Sequence, residues 1–241
     1  MCTVTLVAIG DSGFVLTSNR DEDPQRETIA PKIYFKEGVT IWCPKDKVAG
    51  GTWIGLSDKQ RVICLLNGGF TRHKRLDKYK MSRGVVVKEL LIADNFLNCI
   101  SKFDFSDVEP FTIVAADWND SLCFFEIVWD GLEVHQKKLE LKTHIWSSTT
   151  LYDEQMKSER HQWFKEFKEG HSLNEKSLLK FHKTYNLNKE YGIIMDRGFV
   201  KTTSITQIVM KKEEIKTKFL NLQEEDSMVQ ETFSKTNFVH E

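Results

Sequence analysis

Much that would announce a function is missing from these 241 residues. Charge of one sign is not in excess: 34 Lys and Arg stand against 35 Asp and Glu. The basic residues form no dominant block, so the electrostatic footprint of a nucleic-acid binder is absent. No apolar run reaches membrane-spanning length. The first, TVTLVAI, stops at Gly10-Asp11 with no basic segment before it, unlike a signal peptide. The five cysteines, Cys2, Cys43, Cys64, Cys99 and Cys123, contain no CxxC pair, and an odd count argues against a disulfide framework. Reduced thiols and a cytoplasmic setting are therefore expected. The seven histidines include no HxH or HExxH spacing, which leaves a zinc site unsupported. There is no GxGxxG and no Walker loop, so the sequence calls for no cofactor. Linkers, repeats and low-complexity tracts are also lacking, which predicts one domain over 1–241 with a polar tail beyond about Glu224.

What is present is a pattern of short strands. TVTLVAI and FVLTSN flank the turn GDSG. KIYF, VTIWCP, TWIGLS and RVICLLN follow, and then a basic loop, GGFTRHKRLDKYK. Helical spacing covers Ser82–Ala93 and Phe96–Phe103. Strands return at FTIVAAD, LCFFEIVW, LEVHQKKL and THIWSST. Tyr152, Met156, Trp163 and Phe167 predict one face of a long helix with a C-cap at Gly170. Leu178, Leu179, His182 and Tyr185 predict another after Asn174. FVKTTSITQIVM and IKTKFLNL read as a last hairpin. The class expected is α+β, with mostly antiparallel sheets covered by helices.

Two residues near the start compete as nucleophile. Ser12 of GDSG lacks the late Asp-x-x-His that would supply a base, and a hydroxyl without a base is a poor nucleophile. A polar hairpin tip is the better reading. Cys2 follows Met1, and methionine before a small residue is usually removed, which would leave a thiol and an α-amine on one carbon. Their ordinary pKa values of about 8.5 and 7.7–8.0 pair a nucleophile with a base near neutrality. A hairpin centred on Asp11-Ser12 sets Cys2 opposite Asp21, and a one-residue bulge sets it opposite Arg20. Arg20 would favour the thiolate, and a carboxylate would steer the amine. Cys43-Pro44 reads as an ordinary strand-end cysteine.

The start Met1-Cys2, the string Asn19-Arg20-Asp21-Glu22, the segment Gly50-Gly51-Thr52-Trp53-Ile54-Gly55 and the strand end Leu65-Leu66-Asn67 together resemble the NRDE family, also called the transport and Golgi organisation protein 2 family. NRDEDP and LLNGGF resemble its bacterial branch. The resemblance extends more loosely through WSSTTLYDEQ and Thr202 to Gln207. It implies kinship with N-terminal-nucleophile hydrolases, a four-layer αββα sandwich, and hydrolysis of a linear amide of a small N-acyl compound. On that resemblance Cys2 is the nucleophile, Arg20 the thiol-stabilising cation, Asp21 or Asp23 the amine-orienting carboxylate and Asn67 an oxyanion donor. Ser148 stands where relatives carry a further asparagine, and Arg197 or Lys201 is a candidate late basic residue. Gly50-Gly51 is expected to permit a tight backbone approach, with Trp53 as a packing residue. The same resemblance leaves open a non-catalytic binding or trafficking protein on this fold, handling lipid or haem, with Cys2 or Cys43 as a thiolate ligand.

Overall fold

In a computed structural model, which describes residues 3–184, 188–224 and 227–234, β1 (Thr3–Ile9) and β2 (Gly13–Glu22) form an antiparallel hairpin. Ile9 pairs with Gly13, so the turn holds three residues, Gly10, Asp11 and Ser12. Gly10 takes a left-handed φ of 57°, which glycine adopts without steric cost. The ladder runs Thr3↔Asn19, Val4↔Ser18 and Thr5↔Thr17, one residue out of step with a turn centred on Asp11-Ser12. The register pairing a cysteine at position 2 with Asp21 is thereby displaced, because the turn is odd in length. Cys2 itself lies outside the described residues.

The structure divides into two units. In chain order the remaining strands are β3 (Thr28–Lys36), β4 (Val39–Asp46), β5 (Ile54–Ser57), β6 (Arg61–Asn67), β7 (Phe111–Asp117), β8 (Cys123–Trp129), β9 (Val134–Leu139), β10 (Thr143–Ser147), β11 (Lys201–Lys211), β12 (Glu214–Asn221) and β13 (Met228–Ser234). The helices are α1 (Arg83–Ile92), α2 (Phe96–Lys102), α3 (Glu154–Gly170) and α4 (Glu175–His182).

The first unit contains a six-stranded antiparallel sheet in the order β10-β1-β2-β11-β12-β13, with α3 and α4. Alternation along the strands sends Val7, Val15 and Val209 into one cluster with Phe164 of α3 and Leu178 and Phe181 of α4. Both helices start on side-chain caps: Asp153 accepts from Met156 N at 2.9 Å, and Asn174 forms a reciprocal capping box with Ser177. Three expectations change here. Tyr152 precedes the α3 cap and is not on the helix. Gly170 is the last helical residue, and His171 is the cap. Beyond Glu224 the chain makes a further strand, β13, paired with β12 from Glu214↔Ser234 to Leu220↔Met228. The expected position of Tyr185 on the second helix lies outside the described residues.

The second unit is a seven-stranded antiparallel meander, β3 to β9 in sequence order, with α1 and α2 against one face. Ile41, Cys43, Ile63, Leu65 and Ile113 of the sheet meet Val86, Val87, Leu90 and Leu91 of α1. Gly51 and Gly84 are what lets the start of α1 approach. A Cβ on Gly51 would come within 2.9 Å of Gly84 Cα, and one on Gly84 within 2.8 Å of Thr52 N. Of the paired glycines Gly51 makes the tight approach, Gly50 takes a left-handed φ of 64° with open space around it, and Trp53 is buried. Among the described residues no helix is long and apolar enough to cross a membrane.

Candidate functional site

The string Asn19-Arg20-Asp21-Glu22 is the last stretch of β2, a strand held on both sides by β1 and β11. Strand alternation divides its residues between two faces, and the two faces are bonded very differently.

Asn19 and Asp21 share the face that meets the helices. Asn19 Nδ2 donates to the carbonyls of His182 (3.1 Å) and Ile193 (2.8 Å). Its Oδ1 is therefore an acceptor, 2.7 Å from His182 Nδ1, so that ring nitrogen carries the proton. The other nitrogen, Nε2, accepts from Thr5 Oγ1 at 2.8 Å. A neutral imidazole satisfies every partner. Burial, with Arg160 adding repulsion, pushes the His182 pKa down to about 3.

Asp21 is buried, and both of its oxygens are engaged. Tyr152 Oη donates to Oδ2 at 2.8 Å and Thr202 Oγ1 to Oδ1 at 2.6 Å. The Tyr152 ring lies 4.1 Å below the Arg160 guanidinium. Arg160, fully buried on α3, donates Nη1 to the carbonyls of Tyr191 (2.6 Å) and Gly192 (2.7 Å) and Nε to Ser147 Oγ (3.0 Å). Its Nη2 donates to Thr3 Oγ1. One connected network thus runs from the first described residue of β1 through α3 and Tyr152 to Asp21.

Arg20 points the other way and is only 2% exposed. β11 bulges between Thr202 and Ser204, which pair with Asp21 and Arg20. The extra residue, Thr203, turns its hydroxyl onto Arg20, donating to Arg20 O at 3.1 Å and accepting from Arg20 Nη1 at 3.3 Å. Glu22 Oε2 lies 3.7 Å from Arg20 Nη2 and 3.8 Å from Arg26 Nη1.

The two candidate carboxylates differ sharply. Asp23 is exposed beyond the strand end, where Oδ1 accepts from Gln25 N at 2.8 Å in a turn. Ser148 is buried directly after β10. Its hydroxyl lies 2.9 Å from Thr150 Oγ1 and its carbonyl accepts from Tyr152 N at 3.1 Å, so it belongs to the loop that delivers Tyr152. Asn67 ends β6 in the second unit, opposite Phe111, and Gly68 follows with a left-handed φ of 89°. Arg197 braces loops through the carbonyls of Glu190 and Leu151, and Lys201 pairs with Asp196 at 3.0 Å. Ser12 is an exposed turn residue. Cys43 is buried, and burial pushes its thiol up to about 11, which disfavours a thiolate ligand there.

Sequence reasoning overlooked Arg160 and did not connect Tyr152, Thr202 and His182 with the site. The last three lay in segments it had singled out for other reasons. Arg160 had no local signal, because a helical arginine ordinarily faces water.

A model of the Transport and Golgi organisation 2 family matches residues 1–235. The chain belongs to this family. No curated protein sequence matches it. Among solved structures it is similar to a Caenorhabditis elegans ortholog of N-acylethanolamine-hydrolyzing acid amidase, at 12% identity and a TM-score of 0.58, covering 86% of this chain and 92% of that one. It is also similar to a variant of conjugated bile acid hydrolase from Clostridium perfringens, at 8% identity and a TM-score of 0.50, covering 99% of each chain. At such identities the likeness concerns the fold. This family member has the α+β fold of the N-terminal-nucleophile hydrolases, with two antiparallel sheets and four helices among the described residues.

Proposed function

We propose that this protein is an N-terminal-cysteine hydrolase acting on the linear amide bond of a small N-acyl compound. The observation that carries the reading is the end of β2. The last rung of the hairpin pairs Thr3 with Asn19, and the next residue on β2 is a buried arginine followed by a buried aspartate. A buried guanidinium and carboxylate, on opposite faces of one strand end beside the chain start, fit a thiolate and an amine that need separate partners.

In this mechanism removal of Met1 frees the Cys2 amine. The amine takes the thiol proton, directly or through water, and the thiolate attacks the amide carbonyl. Hydrogen-bond donors, a backbone N–H among them, hold the oxyanion. The C–N bond breaks as the leaving amine takes a proton from the Cys2 ammonium. Water then hydrolyses the thioester and restores the thiol. Arg20 stabilises the thiolate. Asp21 is assigned to the amine in preference to Asp23, because only Asp21 is buried and braced. The assignment covers residues 1–241 as one functional domain, since the family model crosses both units. A reducing, cytoplasmic location goes with it.

The test is labelling by a thiol-reactive acyl probe in a Cys99→Ser/Cys123→Ser background, because those two thiols are partly exposed. Rapid labelling that is lost in Cys2→Ser and slowed at least tenfold in Arg20→Ala is expected. Equal slow labelling of all three proteins, or a mass spectrum of the cellular protein retaining Met1, would sink the proposal.

A further inference from the structure

The basic loop after Asn67 takes no part in the chemistry above, and its construction differs from an ordinary solvated charge run. Both ends are pinned. Gly68 N donates to Pro110 O at 3.0 Å, and Thr112 Oγ1 donates to Gly68 O at 3.0 Å. Gly69 sits so close to the β8–β9 hairpin that a Cβ would meet Asp130 Cα at 3.1 Å. At the far end Lys80 N donates to Asp107 O at 2.9 Å, and Met81 bridges to Val108. Between these anchors residues 70–79 have no helix or strand.

That tip carries Arg72, Lys74, Arg75 and Lys78 against one acid, Asp77, in a chain whose net charge is −1. Arg72, Lys74 and Lys78 have no acidic partner among the described residues, and Arg75 reaches Glu109 only at 4.0 Å. Large apolar side chains are interleaved with them: Phe70 is 52% and Leu76 55% exposed. Phe70 leans on His135 with ring centroids 4.8 Å apart, beside a hairpin whose turn exposes Leu132. A stable loop has no use of its own for apolar residues held outward among unpaired cations.

We propose that residues 70–79 form a docking surface for the headgroup face of an anionic lipid bilayer. The cations lie against lipid phosphates while Phe70 and Leu76 enter the boundary with the acyl chains. A soluble polyanion would satisfy the charges and leave the apolar side chains in water, so the combination favours a membrane surface. Association of this kind is peripheral and reversible. It is independent of whether Cys2 reacts, so the failure of either proposal leaves the other standing.

The test is co-sedimentation with vesicles of phosphatidylcholine alone and of phosphatidylcholine mixed with phosphatidylglycerol. Binding to the mixed vesicles only, weakening as salt rises, is expected. Lys74→Glu/Lys78→Glu should reduce it about 25-fold or more, at about fivefold per cation removed. Phe70→Ser/Leu76→Ser should reduce it as well, and emission from a Leu76→Trp variant should shift to the blue on the mixed vesicles, relative to wild type under the same conditions. All these side chains are exposed, so the near-ultraviolet circular dichroism of the serine and glutamate variants should match wild type. The proposal is overturned by equal binding to neutral vesicles, or by no binding. It is also overturned by indifference to charge reversal, by unshifted emission from the Leu76→Trp variant, or by binding to an RNA oligonucleotide in place of vesicles.

Discussion

Arg61 and Arg160 are both almost completely buried, one in each unit, and their charges are balanced in different ways. Arg61 reaches across to the end of α1, donating Nη1 to Leu90 O (3.0 Å) and Ala93 O (2.5 Å) and Nη2 to Asp94 O (3.2 Å). These carbonyls form the negative end of the helix. Asp117 Oδ2 lies 3.2 Å from Arg61 Nε, close enough for charge attraction although not aligned as a hydrogen bond. Arg160 has no carboxylate partner among the described residues. Two carbonyls, two hydroxyls and a tyrosine face hold it instead. Arg61 is a structural plug whose charge is cancelled where it sits. Arg160 instead repels protons from its neighbours, opposing protonation of His182 and His161 after burial itself has done so.

The largest test of this contrast is removal of each cation. Arg160→Met should cost about 3–5 kcal/mol in urea unfolding, because it strands two carbonyls and two hydroxyls in a dry interior. Arg61→Met should cost less, about 2–3 kcal/mol, since Asp117 is 17% exposed and can recover water. Equal losses would break the comparison.

Acid titration probes the burial of His182, to which the charge of Arg160 adds. The unfolded chain protonates His182 near its ordinary value of about 6.5, whereas the fold refuses the proton until about 3. Between those limits the unfolded state holds one more proton. This residue's contribution to stability should therefore fall as pH drops, by about 1.4 kcal/mol per unit. His182→Gln should remove that slope, as read from urea midpoints measured across the window. An unchanged slope would mean that His182 is not held neutral.

Smaller effects separate the members of the network. Asp21→Ala should cost about 2–3 kcal/mol, since it removes the carboxylate acceptor of the buried Tyr152 and Thr202 hydroxyls. Tyr152→Phe keeps the ring under Arg160 and loses one donor, for about 1 kcal/mol. Asp23→Ala should stay within about 0.5 kcal/mol, as befits an exposed turn residue. Thermal melts would rank the three, and a large loss at Asp23 would reverse the carboxylate assignment.

The strands from Thr3 to Trp129 were legible because turn residues punctuate short apolar runs, but the pairings of β1 with β10 and of β2 with β11 join strands far apart in sequence and were not. β13 was not legible. Its first side chains alternate between exposed and half-buried on an edge and Phe233 alone in the strand is buried, so Met228-Val229-Gln230-Glu231 reads as polar tail. Helical spacing also drew Tyr152 into α3, although Asp153 caps that helix one residue later. At the site, the hairpin alone brought Arg20 and Asp21 to the chain start. It could not separate Asp21 from Asp23, because that distinction rests on where β2 ends. The contacts of Asn19 with His182 and of Thr3 with Arg160 span 163 and 157 residues, beyond the reach of any local pattern.

The three-residue turn at Gly10, Asp11 and Ser12 has a role its composition does not advertise. β2 is clamped by β11, whose bulge is matched to Arg20 and Asp21, so β2 is the fixed member of the hairpin. β1 is held by β10 on its other edge, and its register with β2 is matched to the number of residues in the turn. One residue more would either be extruded or would slide β1 along β2 and exchange its two faces, taking Thr3 away from Arg160. The loop acts as a ruler for the N-terminus. Insertions there are expected to be tolerated only where they are extruded or leave the parity of the hairpin intact, which places a constraint of length, beside the left-handed glycine at Gly10, on an exposed tip.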